Sequence, residues 1–330
     1  MLAQITSSHV RIAPIGGLKR IVSYTCFEGR PLTTRGRWLN LPLAWLFTFL
    51  TQYPNFKPFK KPVFVIGSGR SGTTMLGVVL SLHRDVGFLN EPKALWHAIY
   101  PGEDIIGSYS KEVGLFRLDG FHADDQVIQN AHKLFGTYLK LVRCTRVVDK
   151  YPELVFRVPF VLKIFPDARF LFLVRNGSDT CASIEKWSQR KGITRGKDVE
   201  NWWGLNNRKW NLLLEEIVKT DDAFSDSYEQ IAGYERQSHM ALVEWIATMR
   251  EGLAQMDRFP DCIKMIKYEK LLEDPNETLS EVLAFCDLDN DPKVFDYANA
   301  VIRKPSWHEE FNIPTEIRPL FEQTMNDLGY

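Results

Sequence analysis

The sequence predicts an α/β fold in which a P-loop-type parallel β-sheet is flanked by helices. The first observation is an apolar run over residues 63–66 that ends in a glycine-rich segment, residues 67–72, and leads at once into a helical pattern. The second is the near-continuous apolar run over residues 169–174, which is typical of a strand buried on both faces of a parallel sheet. Such runs alternate with helical patterns along the chain, as in strand–helix–strand units.

The other elements are predicted from the same periodicities. Apolar runs bounded by turn residues predict strands, and apolar residues spaced three or four apart predict helices. The predicted strands cover residues 63–66, 86–89, 147–148, 169–174 and 262–266. The predicted helices cover residues 73–82, 124–141, 153–165, 178–187, 198–220, 234–257 and 276–286.

Composition excludes several classes of protein. Hydrophobic residues make up 45% and charged residues 25% of the 330 residues, which is the balance of a folded chain rather than a disordered one. Lysine plus arginine (41) equals aspartate plus glutamate (41), so no global basic footprint for nucleic acid exists. The longest apolar run, residues 39–50, is shorter than the roughly 20 residues that span a bilayer, so we expect no transmembrane segment.

The cysteines and the N-terminus lead us to expect a cytoplasmic protein. The five cysteines are odd in number and at least 24 residues apart, which fits neither a zinc site nor a disulfide framework. We therefore expect reduced thiols. No apolar run with a small-residue cleavage site follows Met1, so we expect no secretion signal.

Charge divides the chain into a basic N-terminal arm, residues 1–61, and one α/β domain, residues 62–330. Residues 1–62 contain nine basic residues and a single acidic residue, Glu28, which leaves 32 basic and 40 acidic residues in the remainder. Such an arm either packs on its own domain or approaches an anionic surface or substrate. Peripheral contact with a membrane is one of the expected uses.

The glycine-rich segment predicts a phosphate-binding loop. Residues 67–74 fit the frame G-x-x-x-x-G-K-[ST], except that Thr73 stands where a nucleoside triphosphatase has lysine. Its glycines and the following helix N-terminus form a cradle for an anion. Arg70 supplies a forked cation inside the loop.

The same glycines leave a second interpretation open. They also satisfy G-x-G-x-x-G, and Glu91 lies 19 residues beyond Gly72, about where a dinucleotide-binding fold places its ribose-binding acid. An NAD-type oxidoreductase is therefore an alternative. A non-catalytic nucleotide-binding protein is another, although binding alone requires neither Glu91 nor Lys150.

A cation follows the buried strand of residues 169–174. A magnesium-dependent phosphoryl transferase usually has an aspartate at such a strand end, whereas this chain has Arg175. The arginine predicts a second anion site rather than a metal site, and Ser183 lies eight residues further on in the predicted helix. Two anion sites on one sheet suggest a nucleotide that is phosphorylated at two places.

Taken together, the motifs resemble those of a known family. GSGRSGTT after a strand, NEP after the next, DKYP, FPDARFLFLVRNGSDTCASI, KYEKLLEDPNETL and a late RKP are similar to the motifs of sulfotransferases that use 3′-phosphoadenosine 5′-phosphosulfate, PAPS. The resemblance covers about residues 60–305 and is closer to the tyrosylprotein branch than to the cytosolic phenol and steroid enzymes. It implies the sulfotransferase fold for the domain over residues 62–330.

The resemblance also implies roles for individual residues. Glu91 would be the general base, Lys150 the cation near the transferred group, and Arg70 a second catalytic cation. Arg303 and Lys304 are alternatives for the C-terminal nucleotide contact. The implied nucleotide-binding residues are Ser68, Gly69, Arg70, Ser71, Gly72, Thr73, Thr74, Arg175, Ser183, Tyr268, Arg303 and Lys304.

The resulting hypothesis is in-line transfer of a sulfuryl group from PAPS to an acceptor hydroxyl or amine, with 3′,5′-adenosine bisphosphate as the product and no metal. The sequence leaves open whether the acceptor is a glycan, a lipid, a peptide or a small metabolite, and it leaves the oligomeric state open. We expect acceptor contacts in residues 93–146, in residues 186–235 and in the arm. His97 and His308 are expected to be structural.

Overall fold

The computed structural model describes residues 4–30, 33, 36–52, 59–110, 114–303 and 312–330. A five-stranded parallel sheet forms its centre, in the order β2-β3-β1-β4-β8. Its strands are β1 (Val63–Gly67), β2 (Val86–Asn90), β3 (Arg146–Lys150), β4 (Arg169–Val174) and β8 (Ile263–Lys267). The predicted α/β class with a parallel sheet flanked by helices is confirmed.

Helices cover both faces of this sheet. They are α1 (Ser7–Ile12), α2 (Pro14–Cys26), α3 (Asn40–Gln52), α4 (Thr73–Leu80), α5 (Lys93–Ile99), α6 (Asp125–Val142), α7 (Val158–Ile164), α8 (Gly177–Lys191), α9 (Arg208–Glu216), α10 (Tyr228–Ala232), α11 (Gln237–Arg258), α12 (Tyr268–Glu273), α13 (Pro275–Phe285), α14 (Pro292–Val301) and α15 (Arg318–Asp327). Alternate residues of β1 and β4 enter two separate cores. Phe64 and Phe170 pack with α5–α8 and α11, whereas Val65 and Leu171 pack with α4 and α12–α14.

The predicted helix over residues 198–220 is wrong. An antiparallel sheet of β5 (Ile193–Arg195), β6 (Asp198–Asn201) and β7 (Gly204–Leu205) occupies its first part, and α9 begins only at Arg208. Asn206 and Asn207 have φ values of 51° and 59°, which a helix does not allow. The β5–β7 sheet folds back on the domain, because the amide of Leu205 donates to the carbonyl of Ile106.

The N-terminal arm packs on the domain. Helix α2 lies against β2, and α3 lies against α5 and α6. The outer face of α3 remains exposed, with Trp45 79% and Leu41 70% accessible to solvent. Among the described residues, no helix is both long and apolar enough to cross a membrane.

Candidate active site

The carboxyl ends of the parallel strands bring the predicted residues to one edge of the sheet. The glycine loop follows β1, Glu91 follows β2, Lys150 ends β3, Arg175 follows β4 and Tyr268 follows β8. In open α/β sheets this edge is where ligands bind. Residues that are up to about 200 positions apart in the sequence therefore lie together at one edge of the sheet.

Backbone geometry and internal hydrogen bonds shape the glycine loop. Gly67 has a φ of 134°, and a Cβ there would lie 2.4 Å from the carbonyl oxygen of Leu173, so the loop can leave β1 only at a glycine. The Ser71 hydroxyl donates to the carbonyl of Ser68 at 2.5 Å, and the Ser68 hydroxyl donates to the carbonyl of Gly69. Both predicted serines thus use their hydroxyls inside the loop.

Four of the predicted nucleotide residues contact one another in a chain that links the ends of three strands. Arg175 Nη1 donates to the carbonyl of Arg70 at 3.0 Å, and Arg70 Nε donates to the Ser183 hydroxyl at 3.2 Å. The Arg175 guanidinium lies 4.7 Å from the centre of the Tyr268 ring. Arg175 therefore lies between the glycine loop and Tyr268, in direct contact with Arg70.

The Arg70–Arg175 pair has the electrostatics of an anion site. Burial and the positive charge of Arg175 lower the pKa of Arg70 below its ordinary value. Asp179 forms an ion pair with Arg175, with its carboxylate 3.9 Å from Arg175 Nη2. Arg175 Nε is buried and has no hydrogen-bond partner within the described chain. Two adjacent cations with a buried, unused donor fit a bound phosphate group.

Tyr268 forms the wall between the loop and Arg175. A Cβ on Gly72 would lie 2.4 Å from the Tyr268 ring, and Gly72 itself has a φ of 92° just before α4 begins. The ring is half-buried. Gly72 therefore lets the ring lie directly against the backbone at the N-terminus of α4, beside the anion site.

Glu91 and Lys150 form an ion pair in the same cleft. Lys150 is only 2% exposed, whereas Glu91 is 38% exposed and faces the opening. Burial alone would raise the pKa of Glu91, but the ammonium groups of Lys150 and Lys93 outweigh it and lower the pKa below its ordinary value. Glu91 is therefore a carboxylate at neutral pH.

The backbone of Glu91 is held in an unusual conformation. Its φ is 50°, a left-handed value that non-glycine residues seldom adopt. Its amide donates to the carbonyl of Lys150 at 2.7 Å, and the amide of Lys93 donates to the carbonyl of Glu91 at 2.7 Å. Strain of this kind persists only where the surroundings fix it, and it is common at functional sites.

Sequence reasoning missed a second charged network on the far wall of the cleft. Lys209 Nζ lies 2.5 Å from Glu244 Oε1 and 3.1 Å from Glu153 Oε1, and Lys93 Nζ lies 3.5 Å from the same Glu153 oxygen. Burial would lower the pKa of Lys209, but Glu244 and Glu153 raise it above its ordinary value. Lys93 lies two residues after Glu91, and Glu153 lies three residues after Lys150, so their positions in the motifs could have indicated that they belong to the site. No sequence pattern pointed to Lys209 or Glu244.

Trp202 closes the cleft over the glycine loop. Its indole nitrogen donates to Glu244 at 2.7 Å, its ring packs edge-on to Trp187, and a Cβ on Gly69 would lie 2.5 Å from it. The cleft has a volume of about 810 Å³, including the part open to solvent. Trp187 and Trp202 line it, whereas Trp203 and Trp210 are buried in the core.

The C-terminal predictions receive no support from this geometry. Arg303 donates to the carbonyls of Asn299, Ala300 and Ile302 and so caps the C-terminus of α14. Lys304 and His308 lie outside the described residues. His97 bonds to the carbonyl of Pro101 and does not line the cleft.

Strand order distinguishes between the two interpretations of the glycine motif. In a dinucleotide-binding fold, the strand that carries the ribose-binding acid pairs directly with the strand before the glycine loop. Here β3 lies between β2 and β1, so Glu91 is separated from the loop by one strand. Its carboxylate pairs with Lys150 of that intervening strand. This arrangement disfavours the NAD-type interpretation.

A comparison with protein families matches the model described as "Sulfotransferase family" to residues 62–216. These residues are similar to that family and make up a little under half of the chain. The resemblance that the motifs suggested is confirmed. This sulfotransferase region contains the glycine loop, Glu91, Lys150, Arg175 and Ser183.

Similarity to individual proteins extends beyond this sulfotransferase region. An uncharacterized protein of Aquifex aeolicus is 25% identical over 247 residues, 73% of this chain and 27% of its own length. Protein-tyrosine sulfotransferase 1 of Homo sapiens is 29% identical over 162 residues, 47% of this chain and 41% of its own. The chain thus spans less than half the length of either relative. A solved sulfotransferase of Mycobacterium avium is 14% identical at a TM-score of 0.49, covering 98% of this chain and 97% of its own.

Proposed function

We propose that this chain transfers a sulfuryl group from PAPS to a hydroxyl or amine of an acceptor, with Glu91 as the general base. The observation that carries the proposal is the hydrogen bond from Arg175 Nη1 to the carbonyl of Arg70. It joins the two predicted anion sites beside the Glu91–Lys150 pair. The match to the sulfotransferase family supports the reaction class.

The donor-side residues fit a nucleotide that carries two separated anionic groups. Arg175, with its unused Nε, and Ser183 would hold the 3′-phosphate. The loop backbone before α4 and Thr74 would hold the 5′-phosphosulfate, because helix N-termini favour anions. Tyr268 would contact the nucleoside between these two groups. When bound, the donor supplies the sulfuryl group that is transferred.

Glu91 is suited to receive the proton of the acceptor. It is ionised, half-exposed and fixed by two backbone hydrogen bonds at the mouth of the cleft. A positioned base of this kind contributes about 10²–10⁴-fold to a rate. A lowered pKa makes the Glu91 carboxylate a weaker base. We therefore expect it to act on a hydroxyl that the cleft has already oriented.

Lys150 would stabilise negative charge at the reacting centre. Its ammonium group is almost fully buried and lies against Glu91, so it needs no reorganisation to reach the point where the acceptor loses its proton. Arg70 provides a second cation at the glycine loop. Trp187 and Trp202 would line the part of the cleft that receives the acceptor.

Calorimetry with three nucleotides tests the proposal. We expect 3′,5′-adenosine bisphosphate to bind without added metal, and NAD and magnesium-ATP to bind at least about 100-fold more weakly. Arg175→Met should weaken bisphosphate binding about 10–100-fold, from the loss of a charge-assisted hydrogen bond. Arg84→Met is the matched control, since Arg84 lies before β2 at the opposite edge of the sheet. Preferential binding of NAD would refute the assignment.

A further inference from the structure

A buried ion pair in the N-terminal arm contacts the strand that carries Glu91. Arg20 Nη1 and Nη2 donate to the two Glu28 carboxylate oxygens at 2.5 and 3.0 Å, and the two side chains are 2% and 4% exposed. Arg20 Nη1 also donates to the carbonyl of Phe88 at 3.1 Å. Glu28 Oε1 accepts the amide of Asn90 at 2.8 Å. The pair therefore binds the C-terminal end of β2, and its contact with Asn90 is one residue before Glu91.

Three described residues of the arm beyond Glu28 also lie near the cleft. A Cβ on Gly29 would lie 2.5 Å from Ala94 Cβ, so the arm backbone touches the first turn of α5. Thr33 lines the cleft itself. Arg37 Nη1 lies 3.3 Å from Glu200 in β6, the strand that precedes the turn containing Trp202. The arm thus contacts the site on two sides.

We propose that Arg20 and Glu28 are positioning residues that hold the end of β2 in the conformation that aims Glu91 at the acceptor. This inference rests on the proposed function and extends it to residues of the arm. Neither Arg20 nor Glu28 lines the cleft, so the pair would act on Glu91 through the amide of Asn90 and the carbonyl of Phe88.

The conformation of Glu91 explains why such a support is needed. Its left-handed φ of 50° costs free energy, which the surroundings must offset. On the C-terminal side, the hydrogen bond from Lys93 to the Glu91 carbonyl fixes the chain. On the N-terminal side, the amide of Glu91 donates to the carbonyl of Lys150, and the preceding amide, that of Asn90, donates to Glu28. Without that bond, the backbone of residues 90–91 can relax and the carboxylate can move away from Lys150.

The physical cost of the pair argues for a role beyond stability. A buried ion pair is expensive to desolvate, and apolar side chains of similar volume often stabilise a protein equally well or better. An Arg20→Met/Glu28→Met double variant should therefore fold. It removes the acceptor of the Asn90 amide and leaves every residue of the cleft in place.

The experiment compares this double variant with the wild type by three measurements. They are the pKa of the Glu91 carboxyl from carbon NMR of the side chain, the affinity for 3′,5′-adenosine bisphosphate, and turnover of PAPS. We expect the pKa of Glu91 to rise toward its ordinary value as contact with Lys150 weakens. We expect kcat to fall about 10–100-fold while the bisphosphate affinity changes less than about twofold.

Two further variants separate positioning from folding. Glu28→Gln keeps an oxygen that can accept the Asn90 amide, so it should retain more turnover than the double variant. Arg117→Met/Glu251→Met removes an ion pair that lies outside the cleft, 2.7 Å in length, and should leave the pKa of Glu91 unchanged. A wild-type pKa of Glu91 in the folded double variant overturns the inference. Failure of the wild type to bind bisphosphate refutes the proposed function instead, and the NMR result still decides the positioning role.

Discussion

At the residue scale, the site depends on pairs of side chains, and neither member of a pair indicates a function by itself. Glu91 before a proline could be a surface turn residue, and Lys150 beside Asp149 could be one half of an ordinary salt bridge. In the structure, Asp149 instead accepts the Trp96 indole, and Lys150 pairs with Glu91. Their convergence at one point of the cleft gives them a common chemical role.

Replacing Glu91 with glutamine tests its role as a base. The change keeps the volume of the side chain and removes its capacity to accept a proton, so turnover should fall about 10²–10⁴-fold. Bisphosphate affinity should persist, because Glu91 lies outside the anion site. Glu229→Gln, an exposed substitution on α10, serves as the control. Wild-type turnover in Glu91→Gln would remove this residue from the mechanism.

The pH dependence of the rate follows from the lowered pKa of Glu91. A depressed pKa keeps the carboxylate ionised as pH falls, so the catalytic form is lost only below the ordinary value of about 4.5. We therefore expect kcat/KM to have no acidic limb between pH 5 and pH 8, measured over the range in which the protein stays folded. A limb centred near pH 6.5 would indicate a histidine base.

At the element scale, the sheet edge and the glycine loop define the proposed donor site. The parallel strands place their carboxyl ends together, and the loop reverses the chain at Gly72 so that α4 begins beside Arg175 and Tyr268. The close approach of Tyr268 to Gly72 leaves no room for a side chain there. Shape at this point is therefore as important as charge.

Gly72→Ala tests this packing. The new Cβ would push the Tyr268 ring off the loop, so we expect bisphosphate affinity to fall at least about tenfold. Gly196→Ala is the matched control, because Gly196 also has a positive φ, 63°, but has no atom within 4 Å of a new Cβ. Both variants pay a backbone cost of about 1–2 kcal/mol. Equal bisphosphate affinity in both variants would show that Tyr268 does not shape the site.

Local sequence patterns predicted an element best where its burial in the fold allows only one pattern of apolar residues. The strand over residues 169–174 is found with the predicted bounds, because it lies in the sheet interior between β1 and β8. The helix expected over residues 198–220 failed. Its tryptophans mimic a helical stripe, yet Trp202 packs on the loop at Gly69 and Trp203 enters the core. Long-range packing overrode local propensity there.

At the scale of the whole molecule, charge and exposed apolar area are unevenly distributed. No aspartate or glutamate occurs between Glu28 and Asp85, and Glu28 is neutralised by Arg20. Within this acid-free segment, α3 exposes a row formed by Leu41, Trp45 and Phe49. An anionic bilayer would complement the excess of basic residues in the arm and would bury the apolar row.

We therefore predict that the α3 face binds anionic membranes. In sedimentation with phosphatidylserine-containing vesicles, Trp45→Ser/Phe49→Ser should reduce the bound fraction at least about fivefold. Phe121→Ser/Leu141→Ser is the control, because those side chains are also exposed but lie outside the arm. Equal binding of the two variants contradicts the prediction. If, without lipid, the Trp45→Ser/Phe49→Ser variant had a lower sedimentation coefficient than the wild type, the face would be assigned to contact with a second copy of the chain instead.

The sequence by itself determined the α/β class, the position of the glycine loop and the identity of the strand-end residues, because these depend on short-range periodicity and on residue type. Tertiary structure alone decided which of those residues meet. It joined Arg70 to Arg175 and Glu91 to Lys150, assigned Arg303 to a helix end, and brought Lys209, Glu244 and the arm residue Glu28 to the cleft or its supporting strand. The physical reason is that contacts between strands and between distant helices depend on packing in three dimensions, which no local pattern of residues encodes.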